Sequence, residues 1–591
     1  MKKIFNYCIL FLVLVTTTPA YSKSSICVNN QKGFDSLNER INELVNEGEK
    51  SIYIYLKPGE YVANGNQIKL ARLNAPDIEI HFIGKKNVFV VPQGKVYRNG
   101  DLYQGEFSVN RSWMSGANDL EIWSSVKYAD GVVEVINEGQ KSCRLKASDK
   151  IQDDLSCDYV FIMIPAWYQT YYYKVSKIEG GYIYFTADNL NKSYNNGYNV
   201  NDDYNYAKKK IRYKLCNTND GEDHVKILNG KVVLPKGIST AREGQVNNIV
   251  TIRECVLGTI EIKGINFYGN RYEQYSSLIA FENTDLKKGL IHDCSFFGIK
   301  STVIDIISTS NVSVCNNNFK DCYNHGVISD NKSHNTVVRG NCLRQMGKRM
   351  FASSSISCKG KDYYISDNTL MDYGYCGISV GVWFGTKAEE WSCGIIENNK
   401  LIYTDPYIAN IENTGIMDGG GIYVGTKNDG AVIRYNVIKD YTGIKDNRGI
   451  FCDDGTYGVQ IYGNVITGIV NNYSIDCRRV KKVEASAYPA SGIERSNINN
   501  VIRDNIVDSP IRFEGHEDSD NGCYKGCNYI LSDNDSLINK SVYQNVKIDN
   551  EDISLSNYGL NNGNVVVSRS DYKQLKRSQN WNKIKRHIKR R

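Results

Sequence analysis

The chain is poor in proline, with 9 among 591 residues. With few breakers, and with 50 Gly and 42 Tyr, it suits strands joined by tight turns. Beyond the N-terminal leader no apolar run approaches the roughly 18 residues that a spanning helix needs, so a soluble mature protein with no membrane span is expected. No cysteine pair has zinc spacing, and no acidic cluster has the spacing of a calcium loop. No metal site and no cofactor are therefore expected. No zinc finger or other nucleic-acid motif accompanies the basic residues, so no nucleic-acid partner is expected.

What is present begins with a leader. Lys2-Lys3 is basic, Ile9 to Val15 is apolar, and small residues lead to a cleavage site after Ala20 or Ser22. That is the pattern of a secretory signal over residues 1–22, and it implies a secreted or periplasmic protein. Of 17 cysteines, Cys294, Cys342, Cys358 and Cys452 fall at regular strand positions, where a small apolar thiol packs well. Cys376–Cys393 and Cys523–Cys527 each close a local loop and are the expected disulfides. Net charge is +7, much of it between Lys573 and Arg591. A basic tail of this kind binds anionic polymers or surfaces, or is simply solvated.

Two near-duplicate segments set the organisation. Asp418-Gly-Gly-Gly-Ile-Tyr-Val is followed 28 residues later by Asp446-Asn-Arg-Gly-Ile-Phe-Cys, and Asn436 and Asn464 each lie 14 residues past the shared isoleucine. The unit hydrophobic-x-x-Asn/Cys-x-hydrophobic recurs from about residue 251. Its fourth position falls at Ile265, Cys294, Asn317, Asn341, Asn368, Asn399, Asn436, Asn464 and Asn505, at intervals of 23 to 41 residues. Units this short cannot bury a core alone and must stack. A coil of three short strands with turns takes roughly 20–25 residues, so the longer intervals imply loops bulging from one corner. The asparagines are expected to form an internal ladder at a turn.

The domain reading follows. Residues 23–105 hold a cap and the first coils. A helix over 33–48, opened by the capping box Ser36-Leu-Asn-Glu39, covers the solenoid end. Residues 106–250 break the period with alternating strands and a polar run from Asn189 to Tyr206, and read as an inserted β-rich domain. Residues 251–540 are the solenoid and 541–591 a basic tail.

This organisation, over roughly residues 24–105 and 251–540, resembles the right-handed parallel β-helix, or pectin-lyase-like, superfamily. The segments Asp418-Gly-Gly-Gly-Ile-Tyr, Val432-Ile-Arg-Tyr-Asn-Val-Ile and Arg448-Gly-Ile-Phe-Cys-Asp-Asp-Gly-Thr are similar to a signature of secreted bacterial proteins of the glycoside hydrolase family 141 type. Phe451 and Cys452 stand where that signature usually has Tyr and Leu. The resemblance implies an all-β solenoid, a bacterial source and action on a polysaccharide or oligosaccharide. A monomer is expected.

Aligning the two copies on Ile422 and Ile450, with both facing inward, turns Tyr423, Phe451, Gly425 and Asp453 outward. An exposed aromatic ladder of Tyr423 over Phe451 is expected, with an open space at Gly425 beside Asp453. Glycoside hydrolysis uses paired carboxyl groups. Asp453 is the first candidate, Asp418 the second, and Asp454 a partner; Asp-Asp-Gly and Asp-Gly-Gly-Gly are also ordinary turns. Tyr423, Phe451, Arg448 and Glu494 are candidates for substrate contact, Arg448 because guanidinium matches a carboxylate or hydroxyl pair. Glu412, Arg512, Glu514 and His516 fall near the same face, and His325 reads as a turn histidine. A polysaccharide lyase using Lys445, Arg448 or Tyr423, or a non-catalytic glycan-binding surface protein, are the alternatives to a hydrolase.

Overall fold

The computed structural model describes residues 23–92 and 248–513, less 66, 86, 270–275, 348–352, 383–391, 404–418, 426–427, 440–447, 454–455, 470–471 and 479–499, and only strand segments of the remainder. Each coil gives one short strand to each of three sheets, of 11, 13 and 14 strands. Val250–Arg253, Val256–Lys263 and Asn266–Tyr268 make one coil, and Ser277–Glu282 opens the next. Successive coils pair in parallel, with one antiparallel hairpin, Leu560–Asn561 on Asn564–Val567, near the C-terminus. The molecule is a right-handed parallel β-helix.

Alternation decides what lies inside. On the 11-stranded sheet Ile279, Ile304, Val327, Ile356, Ile378, Ile422, Ile450, Ile475 and Ile511 stand in register, one per coil, and all are buried. Each such aliphatic side chain contributes about 2 kcal/mol of burial. Phe267, Phe296 and Phe319 form a second internal stack, with centroids 5.3 and 4.8 Å apart.

The turn from the 13- to the 14-stranded sheet is always two residues long, from Gly264-Ile265 to Asp504-Asn505. Its first residue has positive φ: Gly264, Asp293, Asn316, Gly340, Asp367, Asn398, Tyr435, Gly463 and Asp504. Gly, Asn and Asp tolerate that conformation; Tyr435 is the exception, held edge-on to Tyr462 at 5.8 Å. The second residue is the ladder. Asn399 donates its N–H and Nδ2 to Asn436 Oδ1, both at 3.0 Å, and Nδ2 also to Ile365 O at 2.9 Å. The same pattern joins Asn317, Asn341, Asn368, Asn436, Asn464 and Asn505. Cys294 donates its N–H to Asn317 Oδ1. A shorter hydroxyl ladder, Thr284 to Thr309 to Ser333, serves the turn out of the 11-stranded sheet, and no reading of the sequence had marked it.

Because the two-residue turn never varies, extra chain length enters elsewhere. Connections 381–393, 425–431, 453–459 and 478–499 leave the 11-stranded sheet, and 403–419 and 440–447 lead into it. The longer intervals thus come from two corners rather than the one expected, and both border the same sheet.

The solenoid end is covered by two helical segments, Gln31–Asp35 and Leu37–Asn46. Ser36 lies between them and makes no side-chain cap, so the expected capping box does not form. Asn30 caps instead, accepting from Gly33 N–H. Leu37 and Ile41 are buried, Leu44 and Val45 pack on the core, and Gly48 ends the helix at φ +80.

The inserted domain is a seven-stranded antiparallel sheet built from strands between Lys127 and Cys216. Val250–Arg253 pairs with Ile68–Ala71 and Val256–Lys263 with Asn74–Gly84, so the solenoid resumes on the coil it left. The expected Cys376–Cys393 bridge is absent, and Cys393 is a free thiol. The two residues belong to different faces, Cys376 opening a strand of the 11-stranded sheet and Cys393 preceding one of the 13-stranded sheet. The leader, Cys527 and the stretch Lys573 to Arg591 lie outside the described residues.

Asn399→Ala strands both Asn368 donors and the Ile365 carbonyl. It is expected to cost about 3 kcal/mol and to lower the urea midpoint with the strand signal of circular dichroism retained. An unchanged midpoint would show the ladder to be dispensable.

Candidate functional site on the eleven-stranded sheet

The outer face of the 11-stranded sheet presents two columns. In the first, Ser357, Ser379, Tyr423, Phe451, Asp476 and Arg512 occupy successive coils. In the second, Gly381, Gly425, Asp453 and Arg478 follow one another, as the bonds Gly425 N to Val380 O, Asp453 N to Val424 O and Arg478 N to Cys452 O require. The register expected from Ile422 and Ile450 is therefore present.

Asp453 is 5% exposed. Its Oδ2 accepts from Tyr423 Oη at 2.9 Å. Its Oδ1 lies 2.8 Å from Arg478 Nη2, an ion pair. Each residue comes from a different coil, so stacking alone assembles the triad.

Phe451 does not form an exposed aromatic face. It is fully buried yet outside the apolar core. Arg448 lies over its ring at 3.9 Å, Tyr423 meets it edge-on at 5.6 Å, and Arg478 is 5.7 Å away. Such cation–π contacts gain strength when desolvated. Arg448 is likewise not open to a substrate. It is 4% exposed, and its Nε donates to Asp476 Oδ2 at 2.6 Å. Arg512 donates through Nε and Nη2 to the two Asp476 oxygens, each at 2.7 Å, and its guanidinium lies 4.5 Å from the Tyr473 ring. Asp476 is fully buried, so two cations offset the cost of enclosing its charge. Nothing in the sequence around Asp476 or Arg478 had suggested either.

The space expected at Gly425 is closed. A Cβ there would lie 3.2 Å from the backbone of Gly381 and Val382. The glycines of the duplicated motif have their own reason. A Cβ on Gly421 would approach Gly449 O to 2.8 Å, and one on Gly449 would approach Ser474 O to 2.5 Å. Part of the signature is thus close backbone approach between coils.

Asp418, Asp454, Glu494, Glu412, Lys445, Glu514 and His516 lie outside the described residues. His325 behaves as a structural histidine. Its Nδ1 accepts from Ser354 N–H at 3.0 Å, and burial pushes its pKa down to about 4. Among the described residues no group of three or more His, Cys, Asp or Glu is placed to hold a metal ion, and no helix is long and apolar enough to cross a membrane.

Among solved structures the chain is similar to one described as a glycoside hydrolase, at 11% identity over 79% of this chain and 98% of that one, with a TM-score of 0.50. It shares that fold. Weaker likenesses are to the catalytic domain of a family 87 α-1,3-glucanase in complex with nigerose (11% identity, 87% of this chain, 64% of that chain, TM-score 0.37) and to XylC in complex with xylose (10% identity, 86% and 84%, TM-score 0.34). No family model and no curated protein matches the chain.

Asp476→Ala leaves Arg448 buried without its carboxylate. The loss expected is about 3–5 kcal/mol, read as a lower guanidinium midpoint. A variant as stable as the parent would show that the Arg–Asp–Arg ladder does not hold this face together.

Proposed function

We propose that this chain is a secreted carbohydrate-active enzyme, a glycoside hydrolase cleaving a polysaccharide laid along the outer face of the 11-stranded sheet. The observation that carries the reading is Asp453, set in the outward column between Tyr423 and Arg478. The long connections bordering that sheet, and the fold shared with a glycoside hydrolase, support it.

Hydrolysis needs one carboxyl group to protonate the leaving oxygen and another to activate water or attack the anomeric carbon. In this scheme Asp453, held between Tyr423 and Arg478, is the base or nucleophile. Asp418 and Asp454, its sequence-level partners, supply the acid in this scheme. Tyr423 Oη orients the Asp453 carboxylate, and its ring is the aromatic surface beside it. Arg448, engaged by Asp476, is withdrawn from the role of uronate clamp, which counts against β-elimination.

Asp453→Asn is expected to lower release of reducing ends from a panel of plant, host and capsular glycans by roughly 10²–10⁴-fold, with its circular dichroism unchanged. Full turnover by the folded variant would remove Asp453 from the mechanism. Unsaturated, ultraviolet-absorbing products from the parent would replace hydrolysis with elimination.

A further inference from the structure

The same outer face carries a second polar cluster on earlier coils. Asp305 stands in the first column, opposite Ile328 on the next coil and in line with Ser357 on the one after. Asp330 and Lys359 stand in the second column, directly opposite each other, as the bonds Asp330 N to Ile306 O and Lys359 N to Ser329 O require. Gly381 follows on the next coil, so this column is continuous with Asp453. At about 4.8 Å per coil, Asp330 and Asp453 are separated by roughly 19 Å, a length that several linked sugar rings span.

Three observations set this cluster apart from a structural ion pair. Lys359 is exposed, and among the described residues its ammonium has no carboxylate within ion-pair distance. Desolvation by the neighbouring protein pulls its pKa below the usual lysine range, against the pull of Asp305 and Asp330. The Asp305 carboxyl likewise has no cation at contact distance among the described residues. Burial first, then the charges of Asp330 and Glu282, push it up to about 6 against the influence of Lys359. Asp330 is fixed through Oδ1, which accepts from Ser308 N–H, Lys332 N–H and Ser333 Oγ, leaving Oδ2 with one long contact to Ser308 Oγ at 3.3 Å.

We propose that Asp305, Asp330 and Lys359 form a second sugar-binding site, which takes a neutral sugar ring through its hydroxyl groups and rejects uronates. The site rests on the reading of this face as a glycan track and adds the class of sugar that the track accepts. Carboxyl oxygens accept from hydroxyls and the ammonium donates to them, so the three groups match the mixed character of a sugar's edge. Charge selects against acids. Arg253, 3.4 Å from Glu282, offsets that carboxylate, and His325 is held neutral by burial, leaving two aspartates against one lysine. A uronate adds a like charge beside the half-buried Asp305 and Asp330, where repulsion is less screened than in open solvent.

The test is retention of the full-length Asp453→Asn chain on immobilised neutral oligosaccharides (glucans, xylans and mannans) and on polygalacturonate and alginate oligomers. Retention on a neutral glycan is expected, falling at least tenfold in Asp305→Asn and in Lys359→Gln. Lys359 is exposed, so its substitution leaves the core intact, and the urea midpoint of each variant verifies folding. At pH 8 Asp305→Asn is expected to unfold at a higher midpoint than its parent. The raised native pKa makes ionised Asp305 a cost above about pH 6, and that cost vanishes below about pH 4. Retention confined to uronates, absence of retention on every glycan, or retention unchanged in both variants would overturn the site. Binding through these residues without release of reducing ends by the wild-type chain would overturn the hydrolase reading and leave this one standing.

Discussion

The rest of the structure depends on the lock between one coil and the next at the two-residue turn. There a buried asparagine accepts from both the backbone and the side chain of its neighbour and donates to a carbonyl of the coil before. A turn packed between coils has no water to satisfy its amides, and an unpaired buried amide costs on the order of 1–3 kcal/mol. Any slip in register would break the whole series of bonds. Because that corner keeps two residues from Gly264-Ile265 to Asp504-Asn505, variation in coil length along this stretch is pushed to the other two corners, both bordering the 11-stranded sheet.

That constraint explains where chemistry collects. A column on a stacked sheet places residues far apart in sequence within about 5 Å of each other. Tyr423, Asp453 and Arg478 meet for this reason, and so do Arg448, Asp476 and Arg512. The two triads differ in kind. The second is buried and bonded throughout, with its charges matched inside the protein, which suits a strut. The first is nearly as enclosed, its carboxylate 5% exposed between a phenol and a guanidinium. The earlier cluster of Asp305, Asp330 and Lys359 is looser still, with charges near one another but not in contact. Along one face the protein thus moves from open polar groups to closed ion pairs.

Two departures from expectation share one cause. Phe451 points outward as alternation requires, and Arg448, two residues before the inward Ile450, reaches the same side against Phe451 and Asp476, yet neither is available to a ligand. Alternation fixes the side of the sheet and says nothing about what covers that side. Arg448 from the same strand and Arg478 from the next coil close over the ring, and Asp476 captures Arg448. The missing Ser36 cap is similar: the residue type and spacing were right, but the helix broke there into two segments and Asn30 took the role.

The solenoid, its asparagine ladder, the inward isoleucines and the outward place of Asp453 were legible in the sequence, because each follows from a period the backbone imposes. The positive-φ residue before each ladder asparagine, mostly Gly, Asn or Asp, was not marked in the sequence. What surrounds Asp453 was decided only in three dimensions. Arg478, Asp476, Lys359 and Asp305 lie in no recognisable motif, and their partners stand one or two coils away across connections of unequal length. Local hydrogen-bond geometry repeats and leaves a signature in the chain; lateral contact between coils depends on which side chains happen to share a column, and that is settled only when the coils are stacked.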